Sequence, residues 1–544
     1  MNIFSQRLQR ISLALIFLFC LFGCKQNNST LEKGLVYCAE GDPIIFNPQQ
    51  TTSGTTIDAT AFTLFNRLLT YAPNSNKLIP ELATHWDISS NKKRYRFHLR
   101  KDVLFHHTDY FFPSRAMNAA DIAFSFNRMI DKTHPFHFVG LSHYPGLTQA
   151  TKENIKEIKI VNKQTIDFIL KKSDSSFLSN LATPSVVIHS KEYANYLDSI
   201  HQKEDIDHLP IGTGPFYFDT YRKNHYIRYK PHLTYWKHKV EIDQLVFDIT
   251  RSSRNRLAKI IYGDCHISGL PKANELNALQ KHKELSVDSQ LGMNVSFLVF
   301  NTQKPPFDNP KIRKAIAHAI NFKNIIKAVY YYTAEQANQL LPRHSWAHAD
   351  TNMFYNFDPE LAKGILEEQG IKDLSFDLWT VPTARSYNPN SLKTAELIQN
   401  DLAKIGVNVN IITYGWSVFS AKLKHAQYDA VMIGWQADNN DPDNFYSPLL
   451  TCSGILTYTN LAQWCVPKFD ALVSAAKSTS IQKSRKHYYQ QANQIIFEQA
   501  PMIPVAHASR ILVYKKNISG IELTPFGNFS LSKVKRVTSK AKHD

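Results

Sequence analysis

Apolar positions recur along this chain with two distinct periods. Residues 95–99, Tyr-Arg-Phe-His-Leu, alternate apolar and polar and predict a half-buried strand. Comparable patterns predict strands at 34–38, 157–161, 165–170, 227–230 and 244–249. Residues 119–130 carry their apolar side chains at helical spacing, and the polar stretch 49–56 predicts a loop. Strand and helix are thus mixed through the first half. The second half is more regular. It reads as a nearly continuous apolar strand at 295–300, then a helix over 311–319 opened by Asn309 and Pro310, where proline suits the first turn. A strand at 374–379, a helix over 392–405, a strand at 407–412, a helix over 418–425 and a buried strand at 428–435 follow. That rhythm predicts a mainly parallel sheet. No internal repeat or coiled-coil heptad interrupts it.

The N-terminus has a different character. Arg7 and Arg10 precede an apolar run over 11–22 that is too short for a comfortable membrane span, the arrangement of a secretory signal. It ends in Leu21-Phe22-Gly23-Cys24, which resembles a bacterial lipobox. The expectation is a signal over 1–23, an acylated Cys24 and a polar tether over 24–30. Two acyl chains, at about 0.8 kcal/mol per buried CH₂, would hold the protein at a membrane. The remaining chain is too long for one hydrophobic core, so at least two domains are expected. Residues 532–544 form a basic tail.

The formal charge of +17 would ordinarily point to nucleic acid, an option that export removes. The basic surface then suits anionic lipid or acidic ligands, or is simply solvated. Cys20 and Cys24 belong to the signal and anchor, leaving Cys38, Cys265, Cys452 and Cys465. Four cysteines in an oxidising compartment imply two disulfides with three possible connectivities. The close spacing of Cys452 and Cys465 favours their pairing and leaves Cys38 with Cys265. In the chain-entropy model the long loop contributes about 5 kcal/mol and the short one roughly 3. No C-x-x-C pair supports zinc or thioredoxin chemistry.

Enzyme motifs are mostly absent: there is no P-loop, H-E-x-x-H or G-x-S-x-G, and Gly212-Thr-Gly-Pro215 reads as a turn. His344, His348 and Asp350 form the best local histidine cluster, but they read better as surface residues, so no metal is expected. The informative segment is 434–445, where a buried strand breaks into a loop carrying Asp438, Asp441 and Asp443. In an open α/β sheet ligands sit at the carboxyl ends of strands. Paired carboxylates serve acid/base catalysis or calcium elsewhere, yet Pro442 and the missing Gly-x₅-Glu continuation argue against an EF-hand. A carboxylate that meets a ligand ammonium suits a peptide receptor better.

Several stretches carry a resemblance. Pro80-Glu-Leu-Ala83, Gly212-Thr-Gly-Pro215, Gly292-Met-Asn-Val295, Asn301-Thr-Gln-Lys-Pro-Pro306, Tyr387-Asn-Pro-Asn390, Lys393-Thr-Ala-Glu-Leu-Ile-Gln399 and Asn440-Asp-Pro-Asp-Asn444 lie in register over nearly the whole chain. They resemble the bacterial extracellular solute-binding proteins of family 5, which bind dipeptides and oligopeptides. Asp109-Tyr-Phe-Phe-Pro-Ser-Arg115, Leu341-Pro-Arg-His-Ser-Trp-Ala347 and Leu523-Thr-Pro-Phe-Gly-Asn-Phe-Ser530 are most similar to the Sap-type branch, associated with antimicrobial-peptide resistance.

The resemblance implies an α/β, two-lobed periplasmic-binding fold of type II with a hinged cleft. Lobe I would comprise 31–288 and 509–531, with a subdomain at about 65–210, and lobe II 289–508. By the same resemblance Asp438 binds the peptide ammonium, Arg385 binds its carboxylate, Trp435 and Tyr387 line the pocket, and Thr52, Ser53 and Gly54 present backbone groups. A charge-assisted hydrogen bond in a water-poor cleft contributes about 1.5 to 3 kcal/mol. Family members also pair their cysteines as the spacing favours. The implied protein is a periplasmic monomer without a cofactor or chemistry of its own, and it serves an inner-membrane ABC permease and its ATPase. Three rival readings stand beside it: haem capture in the same cleft, a hydrolase using Asp441 or Asp443, and an adhesin acting through the basic face.

Overall fold

The computed structural model describes residues 34–537 except 52, 73, 74, 76, 142, 351, 352, 382 and 525. The expected signal, Cys24, the tether, Thr52 and the end of the basic tail lie outside the described residues. Among the described residues no helix is long and apolar enough to cross a membrane.

The alternating segment forms the strand Arg94–Leu99, which buries Tyr95, Phe97 and Leu99. It pairs antiparallel with Ala83–Ile88 and Thr165–Leu170, and Ile155–Asn162 completes a four-stranded sheet. The helix Ala119–Ile130 packs on it, with Phe126 edge-on to Phe168 at 4.8 Å. A capping box starts that helix: the Asn118 side chain caps its first turn, and the Asp121 carboxylate accepts from the Asn118 N–H. These apolar faces make a core of their own.

The larger sheet has twelve strands. Its order runs Asn408–Thr413, Ser375–Thr380, Ala430–Gln436, Asn294–Phe300, Met502–Lys515, Ile267–Gly269, Gly34–Ala39, Gln244–Ile249, Tyr226–Pro231 and Phe216–Arg222. The sheet is mixed, which corrects the expectation of a mainly parallel one. Ser375–Thr380 is parallel to both its neighbours, but Asn294–Phe300 lies antiparallel to both of its own. Strand direction depends on which remote segment supplies the partner, and the local strand-helix rhythm does not record that.

The strand Met502–Lys515 joins the two halves of this sheet. Up to Ala508 it pairs with Asn294–Phe300 and Ala334–Gln336; from Ser509 it pairs with Leu285–Leu291 and then also with Ile267–Gly269. The chain crosses beside that change of partner. Asn294 donates from Nδ2 to the Ala508 carbonyl at 2.8 Å and accepts from the Ala508 N–H at 2.8 Å. Gly292 is required there, since a Cβ would stand 2.1 Å from the Asn294 amide.

Cys38 is bonded to Cys265 and Cys452 to Cys465, with Cα separations of 5.8 and 4.6 Å. Gly212 and Gly214 let the chain pass against the Leu64 carbonyl, where a Cβ on Gly212 would lie 2.0 Å from the oxygen. The expected loop over 49–56 is a second correction: a 3-10 turn occupies Pro48–Gln50, and a helix, Gly54–Thr60, begins inside the stretch. Its threonines are poor helix formers. Tertiary contact decides instead, because Thr56, Asp58 and Thr60 are buried and Arg510 of the long strand holds Asp58 at 3.0 Å.

Candidate functional site

The strand Ala430–Gln436 ends in the acidic loop, and the helix Asp443–Leu450 starts on its third carboxylate. That placement is favourable, because an acid in the first turn complements the helix dipole. The three carboxylates have different fates. Asp441 accepts both arms of the buried Arg485 guanidinium at 2.9 and 2.7 Å, and its Oδ1 also accepts from the Asp443 N–H at 3.0 Å. Asp443 pairs with Lys477 at 3.0 Å and accepts from the Ser447 hydroxyl. Both are thereby neutralised within the fold.

Asp438 is the exception. It is half-buried, its backbone N–H donates to Asn444 Oδ1 at 3.3 Å, and among the described residues no cation or donor meets its carboxylate. Burial pushes that carboxyl up to about 7. Asn444 Oδ1 also accepts from Trp435 Nε1 at 3.2 Å, so one amide positions both Trp435 and the backbone of Asp438.

Arg385 sits in a short turn closed by two backbone hydrogen bonds with Asn388, at 2.8 and 3.1 Å. The Asn388 amide bonds Ser296 and Thr394, which fastens the turn to the sheet. The Arg385 guanidinium lies 4.0 Å over the Trp416 ring, and among the described residues no carboxylate pairs with it. Tyr387 is buried and packs on Gly434. A Cβ on Gly434 would lie 2.4 Å from that ring and 2.5 Å from the Val295 carbonyl oxygen, so only glycine lets Tyr387 close over the strand.

Ser53 and Gly54 open the short helix of the first half. The Ser53 hydroxyl lies 3.0 Å from Thr55 Oγ1, and the Gly54 Cα is exposed with nothing within 4 Å of a Cβ placed there. Among the described residues neither bonds the Asp438 or Arg385 segment. Contacts from the four-stranded sheet's region reach the acidic loop: Asn439 donates to Asn180 at 3.0 Å, and the Asn440 N–H donates to the Tyr71 hydroxyl at 3.2 Å. Ser175 bonds the Lys477 and Thr479 carbonyls at 2.9 and 2.7 Å. Asn444, Trp416, Tyr71 and Asn180 were not singled out as site residues in the sequence, although Asn444 lies inside a quoted motif.

A separate cavity of about 200 Å³ is lined by Phe62, Arg67, Tyr71, Tyr235 and Phe526, among others, and includes none of the expected site residues. In the histidine cluster, His348 Nε2 stands 3.8 Å from Asp350 and its Nδ1 bonds the Leu341 carbonyl. With His344 these residues make no three-ligand set.

Two α/β halves sharing one long strand, with an acidic loop at the end of a central strand, make the architecture of a two-lobed binding protein. The family model of bacterial extracellular solute-binding proteins, family 5 Middle, matches residues 77–456, and the chain belongs to that family. The probable ABC transporter periplasmic-binding protein SapA of Escherichia coli (strain K12) is 38% identical over 506 residues, covering 93% of this chain and 92% of its own. Heme-binding protein A of Haemophilus influenzae (strain ATCC 51907 / DSM 11121 / KW20 / Rd) is 38% identical over 502 residues, covering 92% of this chain and 91% of its own. The crystal structure of a dipeptide binding protein from Pseudoalteromonas sp. SM9913 in complex with Met-Leu is 42% identical. It superposes with a TM-score of 0.86 and covers 92% of this chain and 100% of its own. The fold is therefore the type II dipeptide-binding class, and the relatives named are solute-binding proteins rather than enzymes.

Proposed function

We propose that this protein is the peptide-capturing component of an ABC importer, working in the periplasm. The carrying observation is the half-buried carboxylate of Asp438, which meets no cation among the described residues, in a loop whose two other carboxylates are already matched. A peptide ammonium supplies the missing partner. Arg385, held 4.0 Å over the Trp416 ring, supplies the complementary grip on the peptide carboxylate. Trp435 and Tyr387 wall the site, and the exposed Gly54 offers it the first N–H of the helix, whereas the Ser53 N–H and carbonyl are engaged by Thr51 and Ile57. The Met-Leu complex of the Pseudoalteromonas relative favours a short peptide.

In this reading lobe I comprises 31–288 and 509–531 and lobe II 289–508. The chain is a monomer that a lipid on Cys24 holds at the membrane. It delivers its cargo to a permease and ATPase, and the Sap-type resemblance of 109–115, 341–347 and 523–530 extends the proposed cargo to antimicrobial peptides. The haem-binding relative favours a second reading, haem in the same cleft. Native mass spectrometry and an absorption spectrum of the purified protein separate the two: co-purifying short peptides support peptide capture, and a Soret band without peptide overturns it.

Arg385→Ala is expected to weaken binding of a free dipeptide by about tenfold or more, since a hydrogen bond to a charged group contributes about 1.5 to 3 kcal/mol. The same dipeptide with an amidated C-terminus should bind the variant and the parent alike. Calorimetric titration of both ligands checks this. An equal loss for acid and amide would remove Arg385 from carboxylate recognition.

A further inference from the structure

We propose that the face of the four-stranded sheet carries a site for one divalent transition-metal ion of the zinc class, formed by His85, Asp87 and His98. His85 and His98 are direct cross-strand partners between Ala83–Ile88 and Arg94–Leu99. Their rings are nearly parallel, 7° apart in plane and 4.1 Å between centroids. Asp87 is two residues from His85, so the pleat returns its carboxylate to the same face. His98 Nε2 lies 2.9 Å from Asp87 Oδ2, and a ligand atom from each of the three residues falls within 4.8 Å of the others. Donors around a tetrahedral zinc, each at about 2.0 to 2.2 Å from the metal, stand roughly 3.4 Å apart. Both rings must turn out of their parallel stack to aim their in-plane lone pairs at one ion, a rotamer change open to side chains that face solvent.

Two neighbours prepare the site. Thr84 Oγ1 is 3.1 Å from the His98 carbonyl and 3.0 Å from His85 Nδ1. Its single O–H is spent on the carbonyl, so toward the ring it accepts, which places the proton on Nδ1 and leaves the His85 Nε2 lone pair free. An imidazole that donates one nitrogen to an outer partner and offers the other is the usual state of a metal-binding histidine. Arg96, the cross-strand partner of Asp87, is turned to Asp167, which accepts from its Nε and Nη2 at 2.7 and 2.9 Å.

The His98–Asp87 contact and the Thr84 contact position both rings but give the exposed His85 Nε2 no partner among the described residues. One divalent ion satisfies both rings and the carboxylate. Two imidazoles and one carboxylate select a borderline ion of the zinc class over calcium or magnesium, with water in the fourth position.

Zinc titration of the untagged full chain by calorimetry, with cobalt absorption as the geometric readout, tests the site. The expected result is one equivalent of zinc lost in the His85→Ala/His98→Ala double variant. Asp87→Asn and Thr84→Val should each weaken binding by about tenfold, the effect of losing a ligand's support. If an alanine variant fails to fold, glutamine at the same positions gives the same readout. Equal zinc stoichiometry and affinity in the folded double variant and the parent would overturn the proposal.

Discussion

Asp438→Asn is expected to raise the dissociation constant for peptides about 30-fold or more while making the ligand-free protein more stable at pH 8. The binding loss follows from truncating one partner of a desolvated charge pair, which costs about 2 to 5 kcal/mol. The stability gain follows from the same burial. The folded carboxyl is raised from 3.8 to about 7, so the folded state holds its proton where the unfolded chain has released it. This contribution to stability is intact below about pH 4 and is lost as the pH rises through about 7. Asparagine carries no such penalty. Melting curves of the two proteins should therefore converge near pH 4 and separate at pH 8, with the variant higher. Affinity of the parent for peptide should weaken below pH 7, by up to about tenfold per unit, because only the ionised form meets the ammonium. A variant that binds dipeptide within threefold of the parent would sink this assignment.

The second large effect is structural. Arg485→Met should destabilise the protein by about 3 to 5 kcal/mol, because it leaves Asp441 buried without its counter-ion. Arg485 also donates to the Ala476 carbonyl and lies 5.1 Å over Trp346, so its loss loosens the helices Pro467–Ser478 and Gln482–Gln499 together. The double variant with Asp441→Asn should recover part of the loss. Chemical denaturation midpoints measure both. No recovery in the double variant would mean that packing, and not the stranded charge, carries the effect. The same pairing explains why Asp441 and Asp443 are poor candidates for acid/base work: they are consumed by Arg485 and Lys477.

Much of the fold was legible wherever a segment's own periodicity determined its structure. The helix Ala119–Ile130 and the strands Thr165–Leu170 and Gln244–Ile249 match the expected bounds to the residue. The helix Gly54–Thr60 was not legible, because it depends on Arg510, which lies 452 residues from Asp58. The antiparallel course of Asn294–Phe300 depends equally on remote partners. For the site, the three carboxylates at the end of a buried strand draw attention to the loop that holds the candidate site. The resemblance already singles out Asp438; what the sequence hides is that Arg485, 44 residues away, folds onto Asp441. Trp416 beneath Arg385 and the His85–His98 pair were hidden for the same reason: each is a spatial meeting that neither segment announces alone.

The long strand Met502–Lys515 sets the mechanics of the whole molecule. Its ladder of backbone hydrogen bonds runs into one half up to Ala508 and into the other from Ser509. The halves are therefore joined by a leaf spring rather than a free joint: they can twist and flex about it, but they cannot slide or part without tearing the ladder. A receptor built this way has essentially one soft coordinate. On the proposed role, that deflection is what would bring the faces presented to a permease into register, whatever the cargo's side chains.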